Sequence, residues 1–315
     1  MQKFANLSRA TLIVVFTCLV ISSTVIGNSI EATTTIAPQP VTPEILTNEE
    51  VKQLQENRQT EIDTSLSKSD LNQAQQKLVS QAILKLETFV PHCSFKVTTN
   101  VTSDKRKESV FSKQVTAEES GTGFFEHNIE HNSTEGNRIG DVQITTNISA
   151  SYTGGFTNLW DLSSIRVKDE IKEDITFVMD FDIEKLHRIF GEESNSDLQD
   201  NNPFWRGIQK IFSRIKYELI VSDDPNSPIT LRFRLTKPTN LMFGVKLRKL
   251  EFENYLTFNE NVQEYLLTEQ KIEIRGRAFL FWGVHETIKQ WYSDYECDTP
   301  LRYIKVDDPA EFMMW

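Results

Sequence analysis

The chain has 315 residues, with 34 lysines and arginines against 45 aspartates and glutamates, so its formal net charge is −11 at pH 7. This acidic balance disfavours nucleic acid and anionic membrane surfaces as partners, because both bind through a basic footprint. The length allows one large domain or two ordinary ones, and a core of that size does not need several disulfides to fold.

The first 27 residues have the pattern of a Sec-type signal peptide. Lys3 and Arg9 form a basic start, residues 11–26 form an apolar run, and Gly27 is a small residue suited to cleavage. Two alternatives stay open: the run is kept as a membrane anchor, or the chain is a lipoprotein processed at Cys18. Cleavage near Gly27 predicts a periplasmic or secreted protein.

A Thr/Pro-rich linker over 28–44 leads to a helical segment over 45–90. Asp70 is the predicted N-cap of its second half, with Gln73 completing a capping box, and Pro91 ends it. The apolar stripe of this half is spaced by three and four residues: Leu71, Ala74, Leu78, Ala82, Leu86 and Phe89. We interpret the stripe as the face that packs on a sheet; the alternative is a helix that binds a partner.

Residues 91–298 are predicted to form an antiparallel β domain. Apolar and polar residues alternate through about ten segments joined mostly by short turns, most clearly over 215–235 and 271–284. This pattern predicts a mainly β fold, in which one large curved antiparallel sheet forms an unclosed β-barrel covered by a few helices. Short helices over 182–190 and 204–212 are candidate covers.

Several local features of this domain are also predicted. The strand over 243–258 changes register between Leu247 and Leu250, and glycine within Arg275-Gly276-Arg277 predicts a bend or bulge. The last two long strands, within 264–297, are expected to join near Gly283–Thr287. Residues 299–315 are predicted to be a loose C-terminal tail.

Two cysteines, Cys93 and Cys297, remain after the predicted cleavage. In an oxidising compartment they can form one disulfide that ties the start of the sheet to its end. Two buried free thiols are the alternative.

No catalytic motif is supported by its surroundings. His127 and His131 match the H-x-x-E-H order of a zinc protease, which needs both histidines on one helical face. The glycines and asparagines around them make a poor helix, and no third ligand follows on a helix. We therefore predict no enzyme activity, no metal and no cofactor.

Apolar side chains on the alternating faces are candidates to line a hydrophobic cavity suited to an acyl chain. A register error of one residue would turn them to the other face. The predicted cavity residues are Phe177, Leu231, Phe233, Ile272, Ile274, Leu280 and Trp282.

The order of elements resembles the LolA/LolB-like family of periplasmic lipoprotein carriers. The matching features are the signal peptide, the early helix, the antiparallel meander, the short helix within Phe181–Gly191, and a final strand pair that includes 271–279 and 291–295. The resemblance implies an unclosed β-barrel with a helical lid over a cavity that holds lipid acyl chains. The chain departs from the family in its long polar N-terminal helix and its excursion over 117–140.

These observations give two hypotheses. The first is an exported, non-enzymatic carrier that binds a lipid or an acylated protein and meets the membrane only transiently. The second is a structural or interaction protein of the cell envelope, with a filled core and no ligand. An envelope protein is a possible partner in both, and nucleic acid is a partner in neither.

Overall fold

The computed structural model describes residues 45–86, 89–104, 106–117, 124–129, 142–147, 160–171, 173–182, 210–222, 224, 226–240, 246–278 and 282–305. The predicted signal peptide and linker lie outside these residues. Two helices lie wholly within them, α1 (Asn48–Leu66) and α2 (Gln73–Leu86), and residues 210–212 are also helical. The described strands are β1 (Ile45–Thr47), β2 (Phe89–Pro91), β3 (Cys93–Ser103), β4 (Arg106–Val115), β5 (Phe124–Ile129), β6 (Val142–Asn147), β7 (Trp160–Ile171), β8 (Asp174–Phe181), β9 (Ile215–Ser222), β10 (Ile229–Leu235), β11 (Thr239–Asn240), β12 (Lys246–Asn259), β13 (Glu264–Ala278), β14 (Trp282–Cys297) and β15 (Arg302–Lys305).

One antiparallel sheet of ten strands dominates the structure. Its order is β4-β3-β14-β13-β12-β10-β9-β8-β7, with the short β11 beside β12, and it does not close on itself. A small sheet has the order β1-β15-β2, and β5 pairs with β6. The predicted fold class, a large unclosed antiparallel sheet with few helices, is confirmed.

The predicted helical segment over 45–90 contains a hairpin of two helices, α1 and α2, but its two ends are strands and not helix, β1 and β2. Thr47 caps α1 through a capping box, because its Oγ1 accepts from the backbone N of Glu50 while Glu50 Oε2 accepts from the backbone N of Thr47. Asn72 caps α2. Its Oδ1 accepts a hydrogen bond from the backbone N of Gln75 at 3.0 Å, and Gln75 Oε1 accepts one from the backbone N of Asn72 at 3.1 Å. The predicted cap at Asp70 is therefore wrong by two residues.

The two helices are held together by polar and apolar contacts. Ser80 Oγ of α2 donates to Asp63 Oδ1 of α1 at 2.7 Å, and Gln59 donates to the same carboxylate at 2.8 Å. The apolar side of the hairpin joins the main core through residues including Ile62, Val79 and Ile83. Ala74, which the predicted stripe included, is exposed.

We call the face of the large sheet that packs with this core its inner face. Its residues alternate along each strand, and they lie side by side in register across neighbouring strands. Several inner-face side chains of β7, β8 and β9 are almost completely buried, among them Trp160, Phe177 and Tyr217. Contacts from α1 to β7 and from α2 to β9 show that the helix hairpin covers this part of the inner face.

The two ends of the described chain meet in the small sheet. Cys93 and Cys297 form a disulfide between β3 and β14, across a sequence separation of 204 residues. Beyond it, β15 pairs with β1 on one side and β2 on the other. Residues 302–305 are thus ordered strand and not the predicted loose tail, because Tyr303 packs with Leu46 and Val51 in a second apolar cluster.

Other boundaries also differ from the prediction. The last long hairpin turns between Ala278 and Trp282, earlier than the expected Gly283–Thr287, because 283–287 are paired with β13. Strand β7 runs from Trp160 to Ile171 and pairs with β8. The predicted helix over 182–190 lies outside the described residues except for residue 182.

The predicted register change in β12 is present, between Leu247 and Lys249. Gly276 in β13 pairs opposite this irregularity, and a Cβ there would lie 3.2 Å from the backbone oxygen of Lys246. The bulge is therefore on β12, while the glycine on β13 permits close approach of the two backbones.

Candidate ligand-binding face

A row of apolar side chains crosses the middle of the inner face. Phe233 of β10 pairs with Phe252 of β12, which pairs with Ile272 of β13, which pairs with Ile288 of β14. We call these four residues the apolar row. The rings of Phe233 and Phe252 are stacked, with centroids 4.8 Å apart and an interplanar angle of 13°. Phe233, Phe252 and Ile272 are only half-buried, whereas Ile288 is buried.

A row of polar side chains lies next to the apolar row, two residues along each strand. It runs through Asn254, Gln270, Gln290 and Thr99, which pair in that order across β12, β13, β14 and β3. We call these four residues the polar row. All four are buried. Polar groups in such a place stabilise the fold only when they are hydrogen-bonded.

Hydrogen bonds link the members of the polar row in pairs. Gln270 Nε2 donates to Asn254 Oδ1 at 3.1 Å, and Gln290 Nε2 donates to Thr99 Oγ1 at 3.2 Å. The hydroxyl of Tyr292 donates to Gln290 Oε1 at 3.3 Å. The polar row is therefore a buried, hydrogen-bonded set of amide and hydroxyl groups beside the partly exposed apolar row.

The structure places five of the seven predicted cavity residues on the inner face. Phe233 and Ile272 belong to the half-buried apolar row. By contrast, Phe177, Leu231 and Ile274 are at most 5 % exposed and belong to the buried core. Leu280 lies outside the described residues, and Trp282 is the first residue of β14.

Neither Phe252 nor any member of the polar row was predicted from the sequence. Phe252 had a usable signal, since it lies on the alternating apolar side of a strand that was predicted. The polar row had none, because glutamine or asparagine in an alternating strand indicates the solvent side. Only pairing in register shows that Asn254, Gln270 and Gln290 share a face with Ile272.

Among the described residues, aromatic side chains pack closely on the β7–β9 side of the inner face. The ring of Tyr217 lies 4.9 Å from that of Trp160 and 4.9 Å from that of Phe181, and Phe181 contacts Phe212 edge-on. Burial raises the pKa of the Tyr217 hydroxyl well above its ordinary value, with a hydrogen bond to Trp160 opposing the shift. This hydroxyl is neutral at every physiological pH.

The histidine motif of the sequence lies only partly in the described part of the chain. No group of three or more His, Cys, Asp or Glu residues is placed there to hold a metal ion. His127 lies in strand β5 and not in a helix, and His131 is outside the described residues. Among the described helices, none has the length and apolar character needed to cross a membrane.

No protein-family model matches the chain, and no curated protein matches it. Among solved structures, it is similar to a LolA superfamily protein from Nitrosomonas europaea. That match covers 69% of this chain and 93% of the other, with 13% sequence identity and a TM-score of 0.28. At this TM-score the similarity carries no argument about ligand or activity, and any functional proposal rests on the residues themselves.

Proposed function

We propose that this protein is an exported, non-enzymatic carrier that binds the acyl chain of a lipid or of a lipid-modified protein on the inner face of its sheet. The observation that supports this proposal is the half-buried apolar row beside the buried polar row. Phe233, Phe252 and Ile272 stay partly exposed on the face where Leu219 and Leu231 are fully buried, so a hydrocarbon chain laid there would remove apolar surface from water.

The dimensions of the apolar row suit a hydrocarbon chain. Four residues on adjacent strands span about 14 Å at the usual strand spacing of about 4.8 Å. A chain laid along the row would be removed from water, which stabilises binding by about 0.8 kcal/mol for each buried CH2 group. The polar row lies about 7 Å away along the strands. A chain bound along the apolar row would place its ester or amide head on the side of the polar row.

The test is native mass spectrometry of the chain purified from a bacterial periplasm, followed by solvent extraction of any bound lipid. We expect a bound lipid and uptake of a fluorescent fatty-acid probe by the stripped protein. Ile272→Glu should abolish uptake, because a carboxylate on the row would have to be desolvated. Val110→Glu is the matched control, since Val110 is an apolar strand residue that is 61% exposed.

Two further variants separate a loss of binding from misfolding. Phe252→Ala should weaken binding of the probe without adding a charge. Gln270→Leu should weaken the binding of a monoacylglycerol more than the binding of a plain hydrocarbon of the same length. Thermal unfolding of each variant shows whether the sheet is intact. A lipid-free mass for the wild type, together with no uptake of the probe, would rule the carrier out.

The second candidate is an envelope interaction protein without a ligand. It is favoured by the complete burial of Phe177, Leu219 and Leu231, which leaves no room on that part of the inner face. The same mass spectrum separates the two proposals, because an interaction protein would be lipid-free and its Ile272→Glu variant would differ only in stability.

A further inference from the structure

The outer face of the sheet carries a charged row that the proposed function does not use. Glu218, Arg232, Glu253, Lys271 and Lys289 pair in that order across β9, β10, β12, β13 and β14. Neighbouring strands thus alternate in charge from β9 to β13, and β14 adds a second lysine. Opposite charges that face each other across strands stabilise a sheet, whereas two lysines do not.

Cations outnumber carboxylates in this network. Glu218 contacts Lys168 at 2.7 Å, Arg234 at 2.7 Å and Arg232 at 3.3 Å. Glu253 contacts Arg232 at 2.5 Å and Lys271 at 3.7 Å. Four cations therefore contact these two carboxylates, Glu251 lies opposite Arg234, and Lys289 adds a fifth cation beside Lys271. We call Lys168, Arg232, Arg234, Lys271 and Lys289 the cationic patch.

The exposure of these side chains determines which charges a partner would contact. The Glu218 and Glu253 side chains are only 1% and 8% exposed, whereas those of Lys168, Arg234 and Lys271 are 39%, 44% and 31% exposed. The carboxylates thus lie beneath a layer of ammonium and guanidinium groups and hold those groups in place. The exposed groups over Glu218 and Glu253 are therefore cations, while Glu251 and Glu269 add carboxylates to the same face, opposite Arg234 and Trp291.

An aromatic residue lies at the edge of the patch. Trp291 follows Lys289 by two positions on β14, so both side chains are on the outer face, and it is 38% exposed. Tryptophan beside lysine is the combination found at the boundary between water and lipid, where the indole lies at the level of the headgroups.

From this geometry we infer that the outer face is a docking surface for an anionic phospholipid membrane. The five cations are spread over β7, β10, β13 and β14 and do not converge on one point, which fits an array of headgroup phosphates better than a single small anion. A dry protein interface fits less well, because the centres of such interfaces are depleted of charge. A headgroup layer is hydrated and leaves the ion pairs solvated.

The net charge of −11 does not prevent this contact. Acidic groups more than about 8–10 Å from the membrane are largely screened at physiological ionic strength. They would instead set the orientation, since the outer face is the side that attracts an anionic surface. The acidic composition predicted that anionic membranes are disfavoured as partners. That prediction averages the charge over the whole chain, whereas individual faces of the protein differ in the sign of their charge.

The test is co-sedimentation of the full chain with vesicles of phosphatidylcholine alone or with about one third phosphatidylglycerol. We expect binding to the anionic vesicles that weakens as salt is raised. Lys271→Glu with Lys289→Glu should lower it at least about tenfold, since each cation near such a surface contributes about a fivefold factor. Trp291→Ala should lower it further.

The matched control reverses two exposed lysines elsewhere, Lys52→Glu with Lys68→Glu, which changes the net charge equally. Equal loss in the two double variants, or equal binding to neutral vesicles, would overturn the inference. So would binding of an acidic polyglutamate protein but not of vesicles, because the patch would then serve a protein partner. Fatty-acid uptake should be unchanged in the patch variant, so this test and that of the carrier can fail separately.

Discussion

Glu218 of β9 faces Arg232 of β10 across the outer side of the sheet, and its carboxylate is almost completely removed from water. Burial by itself would raise the pKa of the Glu218 carboxyl. The hydrogen bond from Lys168 and the charges of Arg234, Lys168 and Arg232 outweigh burial, so that this pKa lies below its ordinary value of 4.5. The carboxylate is therefore ionised throughout the physiological range.

A lowered carboxyl pKa makes folding depend on pH in a defined direction. The contribution of Glu218 to stability is complete above pH 4.5 and is lost as pH falls from there through the lower pKa of the folded state, because the unfolded chain binds the proton first. Glu218→Gln should remove this component. Its free energy of unfolding should fall less steeply with acid than that of the wild type, measured by urea denaturation at a series of pH values.

At neutral pH the same variant should be less stable by about 1–3 kcal/mol, since it leaves Lys168, Arg232 and Arg234 around an uncharged amide. Glu260→Gln, in an exposed turn, is the control and should follow the wild-type pH curve. Parallel acid curves for Glu218→Gln and the wild type would contradict the assignment of this carboxylate.

Removal of the disulfide should destabilise the fold by about 2–5 kcal/mol, because the bond closes a very long loop in the unfolded chain. The comparison is the Cys93→Ser, Cys297→Ser double variant against the wild type in urea, each with and without reductant. Reductant should lower the stability of the wild type and leave the variant unchanged. A wild type that is insensitive to reductant under unfolding conditions would show that the bond does not form.

Two glycines in the last hairpin provide a matched pair. A methyl group at Gly276 would be 3.2 Å from the Lys246 carbonyl oxygen, whereas one at Gly283 would meet nothing within 4 Å. Gly283→Ala should therefore be neutral or stabilise by up to about 1 kcal/mol, since alanine reduces the freedom of the unfolded chain. Gly276→Ala should be the less stable of the two by about 1 kcal/mol or more in thermal unfolding. Equal stability of the two variants would mean that the backbone of β12 moves to accommodate the methyl group without any loss of stability.

Two variants at the start of α2 distinguish the observed helix cap from the predicted one. Asn72→Ala should cost about 1 kcal/mol of stability because it removes the side-chain acceptor for the backbone N of Gln75. Asp70→Ala should change the urea midpoint little, although the sequence pattern favoured Asp70 as the cap. The reverse order of effects would restore the original prediction.

The fold was predictable because its signal is local. Alternation in 215–235 and 271–284 indicated strands with one apolar side, and in β13 Lys271, Glu273 and Arg275 lie on the face opposite to Ile272 and Ile274. The turn of the last hairpin was not predictable in the same way. Phe279 and Phe281 interrupt the polarity without a glycine, proline or asparagine between them, so the pattern pointed to the later Gly283.

The candidate site was less accessible from sequence, because its members are defined by pairing between distant strands. Phe233 and Ile272 share a row only through Phe252. Alternation cannot show whether an inward residue is half-buried like Phe233 or fully buried like Leu231, since that depends on where the helix hairpin lies. The roles assigned to the predicted cavity residues remain predictions.

Strand β14 lies inside the large sheet, between β13 and β3, although it is nearly the last strand in the chain. A ribosome therefore releases β3 and β4, and later the group from β7 to β12, long before the strand that joins them exists. Until residue 297 has been made, β3 lacks one of its two neighbours and Cys93 lacks its partner. Such long-range pairing slows folding and leaves strand edges open to aggregation. Loss of the final hairpin would separate the sheet into two unconnected parts.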